Sequence, residues 1–266
     1  MKKYRRVVVK IGSSTLTHGT GLLNLRRMER LVKVMSDIKN SGVELVIVTS
    51  GAIAVGSGKL GFRGKPEDMS SKQAAAAVGQ CELMYIYDKL FSEYNHIVSQ
   101  LLLTNDDIAD PERCKNVENT LYRLIELNCI PIINENDTVS IKEIEAGVFN
   151  ENDVLSAIVS RLIKADLLIL VSDQDGLYDS NPEENPKAKL IKVVSDLSLA
   201  EEAASGPLSE VGTGGMSTKI SAAAIVGDSG TDMIIINGND AMNLYLAIEG
   251  KPVGTFFSSK KGEMKS

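Results

Sequence analysis

The chain has 266 residues, 43% hydrophobic and 24% charged, with a formal net charge of −6. That is the composition of a globular protein long enough for a sizeable core. The acidic balance and a 5% aromatic content without Trp argue against a nucleic-acid surface or an anionic-membrane face, so an anionic ligand must be met by local lysines and backbone N–H groups.

The predicted elements alternate along the chain. Apolar runs rich in Val and Ile fall at residues 5–11, 43–49, 97–103, 129–133, 167–171 and 232–236. They are continuous rather than alternating, as strands buried on both faces of a parallel sheet would be. Helical patterns separate them. The first, 24–40, opens on Asn24, places Leu25, Met28, Leu31, Val32, Met35 and Ile38 at helical spacing and stops before Gly42. Residues 70–94 form a longer one, and 110–127 begins on Asp110 with Pro111 at the first helical position. Residues 152–165, 198–205 and 216–228 complete the set, and the class is α/β with right-handed crossovers. Residues 139–150 read as a strand-like excursion and 173–190 as a polar loop. Three cysteines without C-x-x-C spacing and two histidines outside metal spacings argue against disulfides or a zinc site. With no signal-peptide pattern and no span-length apolar run, a cytoplasmic location is expected and no membrane partner.

In open α/β sheets ligands lie beyond the carboxyl ends of strands, so the residues after each run carry the chemistry. Lys10, followed by Ile11-Gly12-Ser13-Ser14, is a charge inside an apolar strand, costly unless its ammonium emerges at solvent or an anion. Ser50-Gly51-Ala52 places a hydroxyl and N–H groups at a strand-to-helix turn, which fits a carboxylate or phosphate as well as a plain cap. Asn134-Glu135-Asn136-Asp137-Thr138 is a polar segment after the fourth run. Asn152 and Asp153 open a helix, where a negative charge is favourable in any case. Ser172-Asp173 follows the fifth run. Thr213-Gly214-Gly215-Met216-Ser217-Thr218-Lys219 is a glycine pair leading into a helix with Ser, Thr and Lys in its first turn, a nest for an anion. Residues 56–61 fit G-x-G-x-x-G but begin too far past their strand for a dinucleotide turn, and a flexible loop is expected there. No P-loop sequence is present.

The order K-I-G-S-S, T-S-G-A-I, N-E-N-D, N-E-N-D again, S-D-x-x-G-L-Y and G-T-G-G-M-S-T-K resembles the amino acid kinase family, over nearly the whole chain. Within it, the order fits the branch that phosphorylates the γ-carboxylate of glutamate. The resemblance implies a three-layer αβα sandwich with a central, mainly parallel sheet of about eight strands. It implies one kinase domain with a glutamate-binding lobe at 1–165 and a nucleotide-binding lobe at 166–266, without the C-terminal PUA domain of many members. It also implies ATP and Mg²⁺ as cofactors, L-glutamate as substrate, proline as feedback inhibitor and a homo-oligomer, dimer or tetramer.

Carried over by position, Lys10 and Lys219 resemble the phosphate-binding lysines and Asp153 the acid that organises them. Ser50, Gly51, Ala52, Asn134, Asp137 and Asn152 resemble the glutamate-binding residues. Lys10, Ser172, Asp173 and Thr213, Gly214, Gly215, Met216, Ser217, Thr218 and Lys219 resemble the ATP-binding ones. Sister kinases acting on N-acetylglutamate, UMP or carbamate share the pattern, and a catalytically inactive amino-acid sensor is the alternative of another class. Retention of Lys10, Asp153 and Lys219 disfavours the sensor.

Overall fold

The computed structural model describes residues 4–139, 152–180, 182, 184–195 and 216–259. The chain divides into two compact units, residues 11–152 and residues 1–10 with 153–266.

Strand β1 (Arg6–Ile11) opens the described chain and counts with the second unit through Lys10. The 11–152 unit then holds α1 (Ser13–Leu16), α2 (Leu25–Asn40), β2 (Glu44–Val48), α3 (Ala52–Leu60), α4 (Met69–Ser92), β3 (Val98–Leu103), α5 (Asn105–Ala109), α6 (Pro111–Glu126) and β4 (Ile130–Glu135). Strand β4 pairs in parallel with both β2 and β3, with Val48 opposite Ile133 and Leu103 opposite Glu135. The N–H of Thr49 continues the ladder to the carbonyl of Ile133 at 2.8 Å, so β2 and β4 end side by side. The helix starts follow the sequence: the Asn24 side chain accepts from the Arg27 N–H, and the Asp110 side chain accepts from the Glu112 and Arg113 N–H groups ahead of Pro111.

Residues 56–60, expected as a flexible loop, are the second half of α3, with Gly61 in the left-handed conformation as its cap. The reason is packing. A Cβ on Gly56 would stand 1.8 Å from the Ala75 carbonyl oxygen, and one on Gly79 would stand 1.8 Å from the Ala52 carbonyl oxygen. The two glycines let α3 and α4 touch backbone to backbone, a gain that outweighs the low helix propensity of glycine.

The second unit continues with α7 (Asn152–Leu162), which joins it from Asp153, then β5 (Leu167–Ser172), β6 (Val193–Val194), α8 (Met216–Ser229), β7 (Asp232–Asn237), α9 (Asn243–Ile248) and β8 (Thr255–Phe257). Its strand order is β1-β5-β7-β8-β6. Strands β5 and β7 run parallel through six pairs from Leu167–Asp232 to Ser172–Asn237, whereas β8 lies antiparallel to β7. All six residues of β5 are buried, as a strand covered on both faces requires. The start of β1 is tied down by Asp166, whose Oδ2 accepts from the N–H groups of Arg5 and Arg6 at 2.8 and 2.9 Å. Nearby, the Tyr4 hydroxyl donates to buried Asp232 at 3.1 Å.

Among the described residues eight strands, mainly parallel, are flanked by helices, so the class is α/β as expected. The helix expected at 198–205 and all but the first residue of the excursion at 139–150 lie outside the described residues. Among the described residues no helix is long and apolar enough to cross a membrane.

Candidate active site

The candidate residues form one cluster in each unit. In the second unit, β1 delivers Lys10, the first turn of α7 delivers Asp153, and the first turn of α8 delivers Lys219. Asp153 Oδ1 lies 2.8 Å from Lys10 Nζ, and Oδ2 lies 3.1 Å from Lys219 Nζ. The Thr218 hydroxyl donates to the same Oδ2 at 3.2 Å. The three charged side chains are 13%, 2% and 11% exposed, in the order Lys10, Asp153, Lys219.

Electrostatics give this cluster a direction. Burial pushes the Asp153 carboxyl up, but the Lys10 and Lys219 ammonium groups outweigh it and hold the group below its ordinary value. The carboxylate is therefore ionised, and among the described residues it stands between two lysines in a largely buried place. Lys219 also stands in the first turn of a helix, where the macrodipole disfavours a cation. Two ammonium groups held at one place by the Asp153 carboxylate suit a further anion, and a transferring phosphate is such an anion.

Ser172 closes β5 in the same unit and Asp173 follows it. The Ser172 hydroxyl donates to Asp173 Oδ1 at 3.2 Å, and the Asn237 side chain donates to the Asp173 carbonyl at 3.3 Å. Met216, Ser217 and Thr218 form the first turn of α8 ahead of Lys219. Thr213, Gly214 and Gly215, the nest proper, lie outside the described residues.

The other cluster sits where β2 and β4 end. Gly51 has φ +89°, and a Cβ there would press on the Ser13 Cβ at 3.3 Å. A glycine therefore suits the sharp turn from β2 into α3, which starts at buried Ala52. The Ser50 hydroxyl beside it accepts from Asn152 Nδ2 at 3.0 Å. Asn134 closes the buried part of β4 and is 1% exposed, while Asp137 follows in a half-buried turn. Asn134, expected as the start of a polar turn, is in the strand, because β3 and β4 pair through Glu135.

One residue of this cluster escaped the sequence reading. Asn134 Nδ2 donates to Gln80 Oε1 at 2.9 Å. Gln80 follows the very glycine that seats α4 on α3, and a Gly-Gln pair in an Ala-rich helix is the only trace it leaves in the sequence.

A model of the amino acid kinase family matches residues 5–237. The chain belongs to the amino acid kinase family. It is 51% identical over 265 residues to a glutamate 5-kinase of Clostridium perfringens, covering 99% of this chain and 98% of that one. It is 46% identical over 266 residues to a glutamate 5-kinase of Listeria monocytogenes, covering 99% and 96%.

Among solved structures, a UMP kinase of Bacillus anthracis superposes with a TM-score of 0.67 at 16% identity, covering 97% of this chain and 98% of that one. An isopentenyl phosphate kinase of T. acidophilum superposes with a TM-score of 0.62 at 17% identity, covering 94% and 99%. These two likenesses concern the fold, which is that of the sandwich anticipated above.

Proposed function

We infer that the chain is a glutamate 5-kinase: it transfers the γ-phosphoryl group of ATP to the γ-carboxylate of L-glutamate, giving γ-glutamyl phosphate and ADP, an entry step to proline synthesis. The observation that carries the reading is Asp153 between Lys10 and Lys219, in a chain half identical to enzymes of that name.

The acceptor is ionised at neutral pH, so no general base is required. A γ-carboxylate oxygen forms the new P–O bond, the bond from the γ-phosphorus to the bridging oxygen breaks, and ADP carries off the electron pair. Catalysis then rests on positioning and on neutralising charge at the phosphoryl group. Lys10 and Lys219 serve the second task and Asp153 holds them; Ser172, Asp173 and residues 213–219 serve nucleotide binding. Ser50, Gly51, Ala52, Asn134, Asp137 and Asn152 serve glutamate, with Asp137 facing its ammonium. In this reading the 11–152 unit carries the acceptor and the other unit the nucleotide.

Mg²⁺ bound to the nucleotide would neutralise part of the charge on its phosphates. Both oxygens of Asp153 face lysines, so this carboxylate holds the two ammonium groups rather than an ion. Proline as feedback ligand, a homo-oligomer and a cytoplasmic location belong to the same reading.

The test is an ADP-release assay with ATP and Mg²⁺ against L-glutamate, N-acetyl-L-glutamate, UMP and carbamate. Turnover with L-glutamate is expected. Preference for any of the other three would assign the chain to a sister activity, and no turnover with any would favour a sensor.

A further inference from the structure

Two buried amide atoms of the acceptor cluster have no hydrogen-bond partner among the described residues: Gln80 Nε2, a donor, and Asn152 Oδ1, an acceptor. Native proteins rarely leave such atoms unpaired, and each exception asks for an explanation. The rest of both amides is engaged, Gln80 Oε1 by Asn134 and Asn152 Nδ2 by Ser50. The side chains are thus held in place while one atom of each stays unpaired. Gln80 is 7% exposed, and its neighbour Gly79 sits against the Ala52 carbonyl, so α4 cannot withdraw the amide without unpacking from α3.

An unpaired donor and an unpaired acceptor match the two ends of a free α-amino acid: carboxylate oxygens accept and an ammonium donates. The γ-carboxylate is committed to the phosphoryl group, which leaves the α-carboxylate for the donor. We propose that Gln80 is a specificity-determining residue for the acceptor, its Nε2 donating to the α-carboxylate of glutamate, with Asn152 Oδ1 accepting from the α-ammonium. Through Oε1, Gln80 also fixes the amide plane of Asn134. The assignment rests on reading the chain as a glutamate kinase and adds to it a residue that none of the motifs marks.

The experiment compares wild type with Gln80→Met and Gln80→Glu in steady-state kinetics and thermal melting, with and without L-glutamate. Gln80→Met keeps the volume but removes both the unpaired donor and the acceptor of Asn134 Nδ2. The ligand-free protein therefore melts somewhat lower than wild type, as a buried amide left unpaired requires, while Gln80→Glu, which keeps that acceptor, separates this cost from the loss of the donor. The KM for L-glutamate rises about ten- to a hundredfold, the loss expected for a hydrogen bond to a charged group. The KM for ATP and kcat at saturating glutamate stay within about twofold, and the glutamate-induced rise in melting temperature disappears.

Gln80→Glu keeps the acceptor for Asn134 and replaces the donor with an oxygen; it raises the KM for glutamate at least as much. With glutamate α-amide as acceptor, the penalty of both variants shrinks, since the α-carboxylate they address is gone. A lowered melting temperature with an unchanged KM for glutamate would make Gln80 structural and overturn the proposal. Loss of the fold in both variants would overturn it too, since an unpaired donor cannot be what holds α4. If wild type neither phosphorylates nor is stabilised by L-glutamate, the underlying reading fails; if wild type does both and the variants match it, only the role of Gln80 fails.

Discussion

Replacing Asp153 with Asn tests the charged cluster with almost no change of shape. The amide cannot neutralise Lys10 and Lys219, whose ammonium groups lie 2.8 and 3.1 Å from the carboxylate oxygens. Removing one partner of a buried ion pair costs roughly 3–5 kcal/mol. The lysine side chains are 13% and 11% exposed, so water relieves part of the penalty and the lower end, ~3 kcal/mol, applies. For a chain of this size that lowers the melting temperature by roughly 6–12 °C.

The pH dependence has a fixed sign. The folded-state pKa of Asp153 is held below its ordinary value of 3.8, so its stabilisation is present above that value and is lost as pH falls through the lower, folded one. The difference in stability between wild type and Asp153→Asn should therefore be constant at neutral pH and shrink below about pH 4. ATP or inorganic phosphate should stabilise the variant more than wild type, because the bound anion replaces the missing charge. Denaturant melts at a series of pH values, with and without phosphate, read all three effects. Equal stability of the two proteins at pH 7, or a gap that widens in acid, would refute the electrostatic account of the cluster.

Lys10→Ala and Lys219→Ala should each lower kcat by roughly 10²–10³-fold, about 3–4 kcal/mol of transition-state stabilisation, with a smaller effect on the KM for glutamate, as read in the ADP-release assay. Asp137→Asn should raise the KM for glutamate by about ten- to a hundredfold while leaving that for ATP unchanged; equal weakening of both would place the residue in the fold instead. Gly79→Ala puts a methyl group 1.8 Å from the Ala52 carbonyl oxygen. It should cost roughly 1–3 kcal/mol or more in a denaturant melt and weaken glutamate binding as α4 shifts.

The strands were legible because burial on both faces writes itself as an unbroken apolar run, as in Val7–Val9 of β1 and the whole of β5. Helix α3 was not. Gly56 and Gly58 read as breakers from sequence, and what they are for, a backbone contact with α4 and with the turn at Gly21, exists only once the chain has folded. The same holds for the site. A lysine inside an apolar strand signals that something charged lies at its end, and Lys10 carries that signal. That its partner is Asp153 and that Asp153 also holds Lys219 joins positions far apart in sequence, which no local spacing encodes; only the family's order of motifs pointed to it. Gln80 left still less, because a glutamine on a helix is unremarkable until Asn134 engages one end of its amide and no described residue engages the other.

The central claim is that a glutamate γ-carboxylate oxygen attacks the γ-phosphorus of ATP. L-glutamate labelled with ¹⁸O in the γ-carboxylate, incubated with the protein, ATP and Mg²⁺ and trapped with hydroxylamine, measures it directly. Attack of hydroxylamine on the acyl carbon expels phosphate together with the oxygen that came from glutamate. The account predicts one ¹⁸O per phosphate released and one γ-glutamyl hydroxamate for each. Phosphate without ¹⁸O, released whether or not glutamate is present, would contradict it.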